Sequence, residues 1–363
     1  MSNYKYFPII KTRDAELRCF EHISDSNLNQ MLPIYELTKS RKTTKTPDGD
    51  IHRRMSKIKD LQHGRPFILD LSTDEAYSNP QIEQLLSERG SFYEWQIFIF
   101  ELYSELNIIP MIHVYEDDNG ILEEVKKFVS YASSKKNLLA IRLPFDLTPN
   151  EVDFYLSPIR DNLKNNSKLI VLLDAGFIRH EADADTSKIS NMFIETFQAV
   201  SKCLSNRLED AVMLCSSFPS SPAQEGAKNA SNRAEADSEG EFTIYEEIIY
   251  QEILMEGVHI KYGDYASINN EQIEIRGGTF VPRIDIALPD GKTFIYKRYR
   301  RDDGSYQRCA NKMIEDERYV NNKGWADEEI ALAASGKPTG ISPAYWISVR
   351  MEYYINSRLK LRT

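Results

Sequence analysis

The sequence has little cysteine, no CxxC motif and no long apolar run. Its four cysteines, Cys19, Cys203, Cys215 and Cys309, are widely separated, which argues against a disulfide framework and a zinc finger and is typical of a reducing compartment. The N-terminal residues contain no secretory apolar region, and no apolar run is long enough to span a bilayer. These absences predict a cytoplasmic protein without a membrane segment.

An excess of positive charge is also missing. The chain has 45 Lys and Arg against 55 Asp and Glu, a formal net charge of −10, so a general affinity for polyanions is not expected. Hydrophobic residues make up 41% of the 363 residues, which is enough for a sizeable core in one large domain with an appendage.

What is present is a series of short apolar runs that end in polar or charged residues. The clearest is Lys168–Gly176, in which five apolar residues precede Asp174. A run of this length, followed by turn residues, predicts a strand buried on both faces. The polar residues at the ends of the eight runs are Lys11, Glu36, Asp70, His113, Arg142, Asp174, Ser216 and Asp264.

Helical patterns separate these runs, and this alternation predicts an α/β fold, a (β/α)8 TIM-like barrel, over residues 1–275. The alternative is a doubly wound open sheet, which is disfavoured because no Gly-rich turn follows the first strand. Residues 219–240 contain few apolar side chains and are predicted to form a mobile loop. The next helix is expected over Phe242–Met255.

Residues 276–363 have a different pattern. Val281–Arg298 alternates apolar and polar residues around Pro-Asp-Gly, which predicts a β-hairpin. Three helical segments are predicted after it: Tyr306–Tyr319, Trp325–Ala334 and Ser342–Lys360. We therefore expect a small C-terminal α+β appendage packed against the barrel.

The strand ends define the candidate site, because side chains at the carboxyl ends of barrel strands line the mouth of such a barrel. Glu36, Asp70 and Asp174 could hold Mg²⁺ or Mn²⁺, since these ions prefer oxygen ligands. The metal would activate a water or polarise a phosphoryl oxygen, while Lys11 or Arg142 stabilised an anionic transition state. These five residues are the candidate catalytic residues.

Two other interpretations of the same five residues stay open. Lys11 with Glu36, and Arg142 with Asp174, could be structural ion pairs that close the top of the barrel, because buried charges must be paired. The mouth could also bind a ligand without a metal. His113 is interpreted as a core histidine rather than a base.

The segment Lys39–Lys59 is strongly basic and directly follows the strand that ends near Glu36. It could contact the phosphates of a nucleic acid or a nucleotide. The alternative is a solvated loop, which is favoured by the overall acidity and by the lack of any nucleic-acid-binding motif.

Several stretches resemble one known family. Pro8–Leu17, Leu32–Leu37 and Phe67–Ser72 resemble the opening of the beta family proteins, Tyr262–Ile268 with the hairpin resembles their second half, and Trp346–Ile355 resembles their closing helix. This family, named after a phage protein, occurs in bacteria and phages. The resemblance implies a barrel fold and links to mobile elements and antiphage defence, but no established reaction.

The closing helix departs from the family pattern, which tends to show paired histidines where this chain has Tyr353 and Tyr354. Any role of those histidines is therefore not carried over.

Two functions follow as hypotheses. The first is a binding or effector component that recognises a protein partner, or a second copy of itself, through its loops and tail. The second is a metal-dependent hydrolase that acts on a phosphodiester or nucleotide at the barrel mouth. The lack of a sharp catalytic motif favours the first.

Overall fold

Eight parallel strands close into a barrel in the computed structural model, which describes residues 2–114, 122–164, 166–228, 238–270 and 280–362. The last barrel strand pairs with the first, with Pro8 opposite Asp264, and this pairing closes the cylinder. The strands are β1 (Phe7–Lys11), β2 (Ile34–Leu37), β3 (Phe67–Leu71), β4 (Ile108–Ile112), β5 (Leu138–Pro144), β6 (Lys168–Phe177), β7 (Leu208–Ser216) and, after β8 (Glu239–Thr243) of a second sheet, β9 (Lys261–Asp264). The predicted (β/α)8 barrel is confirmed.

Helices separate the strands and pack outside them. They are α1 (Asp14–Glu21), α2 (Asp25–Leu28), α3 (Ile51–Gln62), α4 (Pro80–Leu86), α5 (Arg89–Ile97) with a π-helical turn at Phe98–Leu102, α6 (Glu123–Lys135), α7 (Pro149–Asn162), α8 (Arg179–Ala184), α9 (Thr186–Leu204), α10 (Pro222–Lys228) and α11 (Glu246–Met255). No helix within the described ranges has both the length and the apolar character needed to cross a membrane.

The strands are buried on both faces, as parallel strands in a barrel must be. One face contributes to an inner cluster that includes Ile9, Ile34, Ile68 and Leu172. The alternate residues, such as Ile10, belong to the outer cluster that the helices share. The interior is therefore filled with side chains, which leaves the carboxyl mouth as the place for polar chemistry.

Gly263 allows the barrel to close. A Cβ atom at this position would lie 2.5 Å from Leu214 Cδ2 and 2.6 Å from the carbonyl oxygen of Phe7. Strand β9 therefore fits between β7 and β1 only because residue 263 has no side chain.

The C-terminal part is an antiparallel sheet with three helices. Strands β10 (Arg283–Ala287) and β11 (Thr293–Arg298) form the predicted hairpin, and β8 pairs with β11 on its other side. The helices are α12 (Ser305–Ile314), α13 (Trp325–Ala334) and α14 (Pro343–Lys360).

The segment before α11 differs from the expectation. Phe242 and Thr243 were expected to start a helix, but they end strand β8, and the helix begins at Glu246. Their pairing with Phe294 and Thr293 explains the difference. Within the predicted loop 219–240, residues Pro222–Lys228 form α10, and residues 229–237 lie outside the described ranges.

The closing helix α14 connects the appendage to the barrel. Met351, Ile355 and Leu359 belong to the same core cluster as the barrel strands. Ser348 donates a hydrogen bond of 2.8 Å to the carbonyl oxygen of Ala15 in α1. The division into a barrel of residues 1–275 and an appendage of residues 276–363 stays a prediction, and β8 contributes to the appendage sheet from the N-terminal side of that boundary.

Candidate functional site

The five candidate residues converge at the barrel mouth because they share one face of their strands. Each stands two positions after an inward-facing core residue: Lys11 after Ile9, Glu36 after Ile34, Asp70 after Ile68, Arg142 after Ala140 and Asp174 after Leu172. Successive side chains of a strand alternate between faces, so a spacing of two keeps all five pointing inward. The strand register places Lys11 beside Glu36, and Glu36 beside Asp70.

Arg142 is the centre of this arrangement. One of its terminal nitrogens lies 3.3 Å from Glu36 Oε2 and 3.7 Å from Asp174 Oδ2, and the other lies 3.2 Å from Asp70 Oδ2. Lys11 Nζ lies farther out, 3.8 Å from both Glu36 Oε1 and Asp74 Oδ2. One guanidinium therefore contacts three carboxylates at once.

Burial shapes the protonation of this cluster. Glu36 and Asp70 are only 5% and 3% exposed, and burial raises the pKa of the Asp70 carboxyl although Arg142 opposes the rise. Burial alone would lower the pKa of the Arg142 guanidinium, but the carboxylates of Asp70, Glu36 and Asp174 together hold that pKa well above its usual value. Arg142 is thus a permanent cation at the mouth.

Further donors contact each of the three carboxylates. Ser72 Oγ donates to Glu36 Oε1 at 3.0 Å, and the Tyr265 hydroxyl donates to Asp174 Oδ2 at 2.7 Å. Asp70 Oδ1 accepts from the backbone N–H of Leu71 at 2.8 Å. Among the described residues, Asp70 Oδ2 has no hydrogen-bond partner and meets only Arg142, in an ion pair.

The predicted metal ligands Glu36, Asp70 and Asp174 are not arranged around an open position for a metal ion. In the part of the chain that the structure describes, no group of three or more His, Cys, Asp or Glu side chains is arranged to hold a metal ion. The physical reason is that the Arg142 guanidinium lies between the three carboxylates and takes the place that a cation would need. A metal role for Glu36, Asp70 and Asp174 stays a prediction that requires Arg142 to move.

Asp264 was expected at the mouth, but it lies on the helix side of its strand. Its carboxylate accepts hydrogen bonds from the hydroxyls of Tyr6, Tyr262 and Tyr354 at 2.5, 2.7 and 2.6 Å. The inward position next to it is taken by Tyr265, which belongs to the inner cluster. The expectation for Asp264 was therefore wrong. The side chain that points inward at this strand end is that of the next residue, because successive side chains alternate between the two faces.

Two other strand-end residues lie outside the charged centre. The His113 ring packs against Trp95 with centroids 5.3 Å apart, and burial chiefly, with Arg142 adding to it, lowers the pKa of His113 to about 3. The imidazole is therefore neutral near pH 7, in line with its interpretation as a core histidine. Ser216 Oγ donates to the carbonyl oxygen of Ile268 at 2.8 Å.

Tyr353 and Tyr354 have separate partners. Tyr354 donates to Asp264, whereas the Tyr353 hydroxyl donates to the carbonyl oxygen of Val320 at 2.7 Å. Both side chains are buried. At the positions where the beta family tends to show histidines, this chain therefore has two structural tyrosines.

The basic segment Lys39–Lys59 is only partly irregular, because Ile51–Gln62 forms α3. Three of its cations pair with acidic side chains: Arg54 with Asp14, Lys57 with Glu21 and Lys59 with Glu105. Arg41 and Arg53 line a groove with Arg18 of α1. A role in phosphate binding stays a prediction.

Sequence reasoning missed several mouth residues. Asp74, Tyr77 and Tyr265 follow the strands that carry the site, and Lys11 Nζ lies 4.6 Å from the ring centroid of Tyr77. Of these three, only Tyr265 could have been predicted from the sequence. It lies two positions after Gly263 and four after Lys261, which is the spacing of side chains that point into the barrel. Asp74 and Tyr77 lie in a loop, where no periodicity indicates direction.

These features define a (β/α)8 barrel protein with a charged mouth, in which Arg142 contacts three carboxylates, and with a C-terminal α+β appendage. The chain belongs to the Beta protein family, whose model matches residues 6–360. It is 27% identical over 360 residues to Protein beta of Enterobacteria phage P4, covering 99% of this chain and 94% of that protein. The resemblance found in the sequence is confirmed across the chain.

Proposed function

We propose that this chain is a binding component, linked to phage biology or antiphage defence, whose barrel mouth recognises a cationic group of a protein partner. The observation that supports it is the position of the Arg142 guanidinium among Glu36, Asp70 and Asp174. A mouth that holds one guanidinium between carboxylates has the chemistry to take a second cationic side chain beside it.

The charge balance supports a cationic partner group. Among the described residues, four carboxylates, including that of Asp74, face two cations at the mouth, which opens into a depression of about 510 Å³. Asp74 lies on the outer side of this depression, paired with Lys11 at 3.8 Å. A lysine or arginine side chain from a partner, or from a second copy of this chain, would meet an excess of negative charge.

The proposal is tested by affinity purification of the full chain from its natural host, with cross-linking of the captured partner. The mouth variant Asp74→Lys reverses one partly buried mouth charge, and Asp302→Lys, on an exposed turn of the appendage, is the control at a surface site. We expect one partner to be captured by the wild type and the control but lost with Asp74→Lys. Equal capture of the partner by both variants would contradict the proposal. Capture of no partner by the wild type would contradict it as well.

The second candidate is a metal-dependent hydrolase that acts on a phosphodiester or nucleotide with Lys11, Glu36, Asp70, Arg142 and Asp174. The observation in its favour is that, among the described residues, Asp70 Oδ2 has no hydrogen-bond partner besides its ion pair with Arg142, on a carboxyl group whose pKa is raised by burial. Such a group can take up a proton or a cation once Arg142 turns away. Basic residues of the Lys39–Lys59 segment would then contact the phosphates of the substrate.

Thermal unfolding with added MgCl₂ or MnCl₂ tests this candidate. A metal-dependent rise in the midpoint temperature that Asp70→Ala abolishes and Asp316→Ala retains would support it, because bound metal stabilises the folded state. No shift with either salt, together with no cleavage of a phosphodiester substrate, would leave the binding component as the function.

A further inference from the structure

A second cavity lies beside the mouth, between the carboxyl end of the barrel and the appendage. Its volume is about 310 Å³, at the lower end of the range for small-molecule sites. Arg13 and Phe218 line it from the barrel side, and Arg283, Trp346 and Arg350 line it from the appendage. A ligand here would contact both parts of the molecule.

Positive charge dominates the lining. Among the described residues, the cavity is lined by three guanidiniums, those of Arg13, Arg283 and Arg350, and by one carboxylate, that of Asp285. Arg13 has its own partner outside the lining, because its Nε donates to Glu16 Oε1 at 2.6 Å. The Asp285 carboxylate is shared, because Arg283 Nε lies 2.6 Å from its Oδ1 and a terminal nitrogen of Arg350 lies 3.1 Å from its Oδ2. Asp285 alone therefore leaves the two arginines with an uncompensated charge.

Arg350 is the least satisfied of the three. It is only 6% exposed, and its Nε has no hydrogen-bond partner within the described ranges. Burial chiefly, with repulsion from Arg283, lowers the pKa of its guanidinium although Asp285 opposes the effect. A buried cation in this condition is stabilised by an anion that enters the cavity.

Aromatic side chains make up much of the remaining wall. Tyr77, Phe218, Phe280, Tyr306 and Trp346 all line the cavity. The Arg350 guanidinium carbon lies 4.2 Å from the centroid of the Phe218 ring, which holds the guanidinium in place. Arg13 is oriented by its ion pair with Glu16 and by a hydrogen bond of 2.9 Å to the Tyr77 hydroxyl.

From these observations we infer that the cavity binds a free nucleoside monophosphate. Fixed arginines suit a phosphate group because the guanidinium presents paired donors to its oxygens. The aromatic walls suit a planar base, which gains from contact with side-chain rings. The inference concerns a site separate from the charged mouth and does not rest on the function proposed there.

Isothermal titration calorimetry of the full chain tests the site with AMP, GMP, CMP and UMP as probes, and with the four nucleosides and inorganic phosphate as comparisons. We expect at least one monophosphate to bind at least about tenfold more tightly than its nucleoside and than phosphate. Arg283→Ala should weaken that binding about tenfold or more, since it removes a charged donor.

Arg318→Ala is the matched control. Like Arg283, Arg318 donates through Nε to an aspartate two residues away, Asp316, at 2.9 Å, but it lies outside the cavity. Its affinity for the monophosphate should equal that of the wild type. Arg350→Lys keeps the charge and loses the planar fork, so it should weaken binding as well. Circular dichroism shows whether it folds, and Arg283→Ala provides the test if it does not.

Three outcomes would overturn the inference. They are no heat of binding with any monophosphate at millimolar concentration, equal affinity for phosphate and monophosphates, and unchanged affinity in Arg283→Ala. A 5′-phosphorylated trinucleotide serves as a further probe. Tighter binding of this probe than of any mononucleotide would overturn the free nucleotide as the source of the phosphate and identify a strand end instead.

Discussion

At the scale of single residues, Arg142 is the cation that the three mouth carboxylates share. Its removal leaves Glu36, Asp70 and Asp174 close together without their common cation. Breaking a buried ion pair from one side is costly, and because 22% of the Arg142 side chain is exposed we expect Arg142→Met to lower the free energy of unfolding by about 2–3 kcal/mol. Urea unfolding followed by circular dichroism measures this change.

Arg65 provides a matched control for Arg142. Its side chain is exposed to a similar degree, 20%, but its partner Asp25 is 80% exposed. A pair of this kind contributes little, so Arg65→Met should cost less than about 1 kcal/mol. Equal losses in the two variants would show that the three carboxylates do not depend on Arg142.

Asp70 gives a prediction about pH. Its pKa is raised in the folded chain, chiefly by burial. The folded state then binds more protons than the unfolded state between the two pKa values, so the free energy of unfolding falls as pH rises through that window. Asp70→Asn removes this loss, and the free energy of unfolding of the variant, relative to that of the wild type, should rise from pH 3 to pH 7.

The contribution of Asp316 to the free energy of unfolding should change with pH in the opposite direction. Its pKa is lowered, chiefly by the hydrogen bond from Arg318 and further by Lys297. Stability from this group is present above the unfolded-state pKa and is lost as pH falls through the folded-state pKa. Asp316→Asn should therefore lose stability relative to wild type as pH rises. The same slope in both variants would contradict the burial argument for Asp70.

The five mouth residues could be predicted because strand ends and two-residue alternation are visible in the sequence. The ion pairs of Lys11 with Glu36 and of Arg142 with Asp174 were one of the alternatives that the sequence left open, and both are present. The further contacts of Arg142 with Glu36 and Asp70 could not be predicted, since spacing shows which face a side chain occupies but not which carboxylates a long side chain reaches. A metal among Glu36, Asp70 and Asp174 stays a prediction. Asp264 was misplaced because the inward residue at this strand end is Tyr265, which directly follows β9.

At the scale of elements, the closing helix α14 is attached to the barrel through Tyr354 and Asp264. A hydrogen bond to a buried carboxylate is stronger than one to a neutral acceptor, so Tyr354→Phe should lower the free energy of unfolding by about 1.5–3 kcal/mol. Asp264 keeps the hydroxyls of Tyr6 and Tyr262, which should prevent complete unfolding. Chemical denaturation of the purified variant measures the loss.

The neighbouring residue Tyr353 is the control within the same helix. Its hydroxyl donates to a neutral acceptor, the carbonyl oxygen of Val320. Tyr353→Phe should therefore cost only about 0.5–1.5 kcal/mol. If it cost as much as Tyr354→Phe, the Asp264 cluster would not be what holds α14 to the barrel.

Local signals predicted the elements well where the information is local. The start of α7 has such a local signal, since Thr148 and Glu151 have the spacing of a capping box, and both of its hydrogen bonds are present. Strand β8 was not visible, because its partner β11 lies about 50 residues later and Phe242 pairs with Phe294 through that long-range contact. The pairing of β8 with β11 therefore keeps Phe242 and Thr243 out of the helix that was predicted to begin there.

At the scale of the whole molecule, the barrel and the appendage share structure. Strand β8 comes from the barrel half of the sequence and completes the appendage sheet, and Arg358 of α14 pairs with Glu247 of α11 at 3.0 Å. Contacts of this kind cross the predicted boundary in both directions. We therefore expect the two parts to unfold together in one transition.

The three tryptophans can report on the two parts separately. Trp95 packs in the barrel, where its indole N–H donates to the carbonyl oxygen of Met111 at 3.1 Å, whereas Trp325 and Trp346 belong to the appendage cluster. The double variant Trp325→Phe with Trp346→Phe leaves a barrel reporter, and Trp95→Phe leaves appendage reporters. Within each variant, fluorescence and far-ultraviolet circular dichroism should give the same urea midpoint. A fluorescence midpoint of the appendage reporters that falls below the circular dichroism midpoint of the same variant would mean that the appendage unfolds first, and that α14 and β8 do not couple it to the barrel.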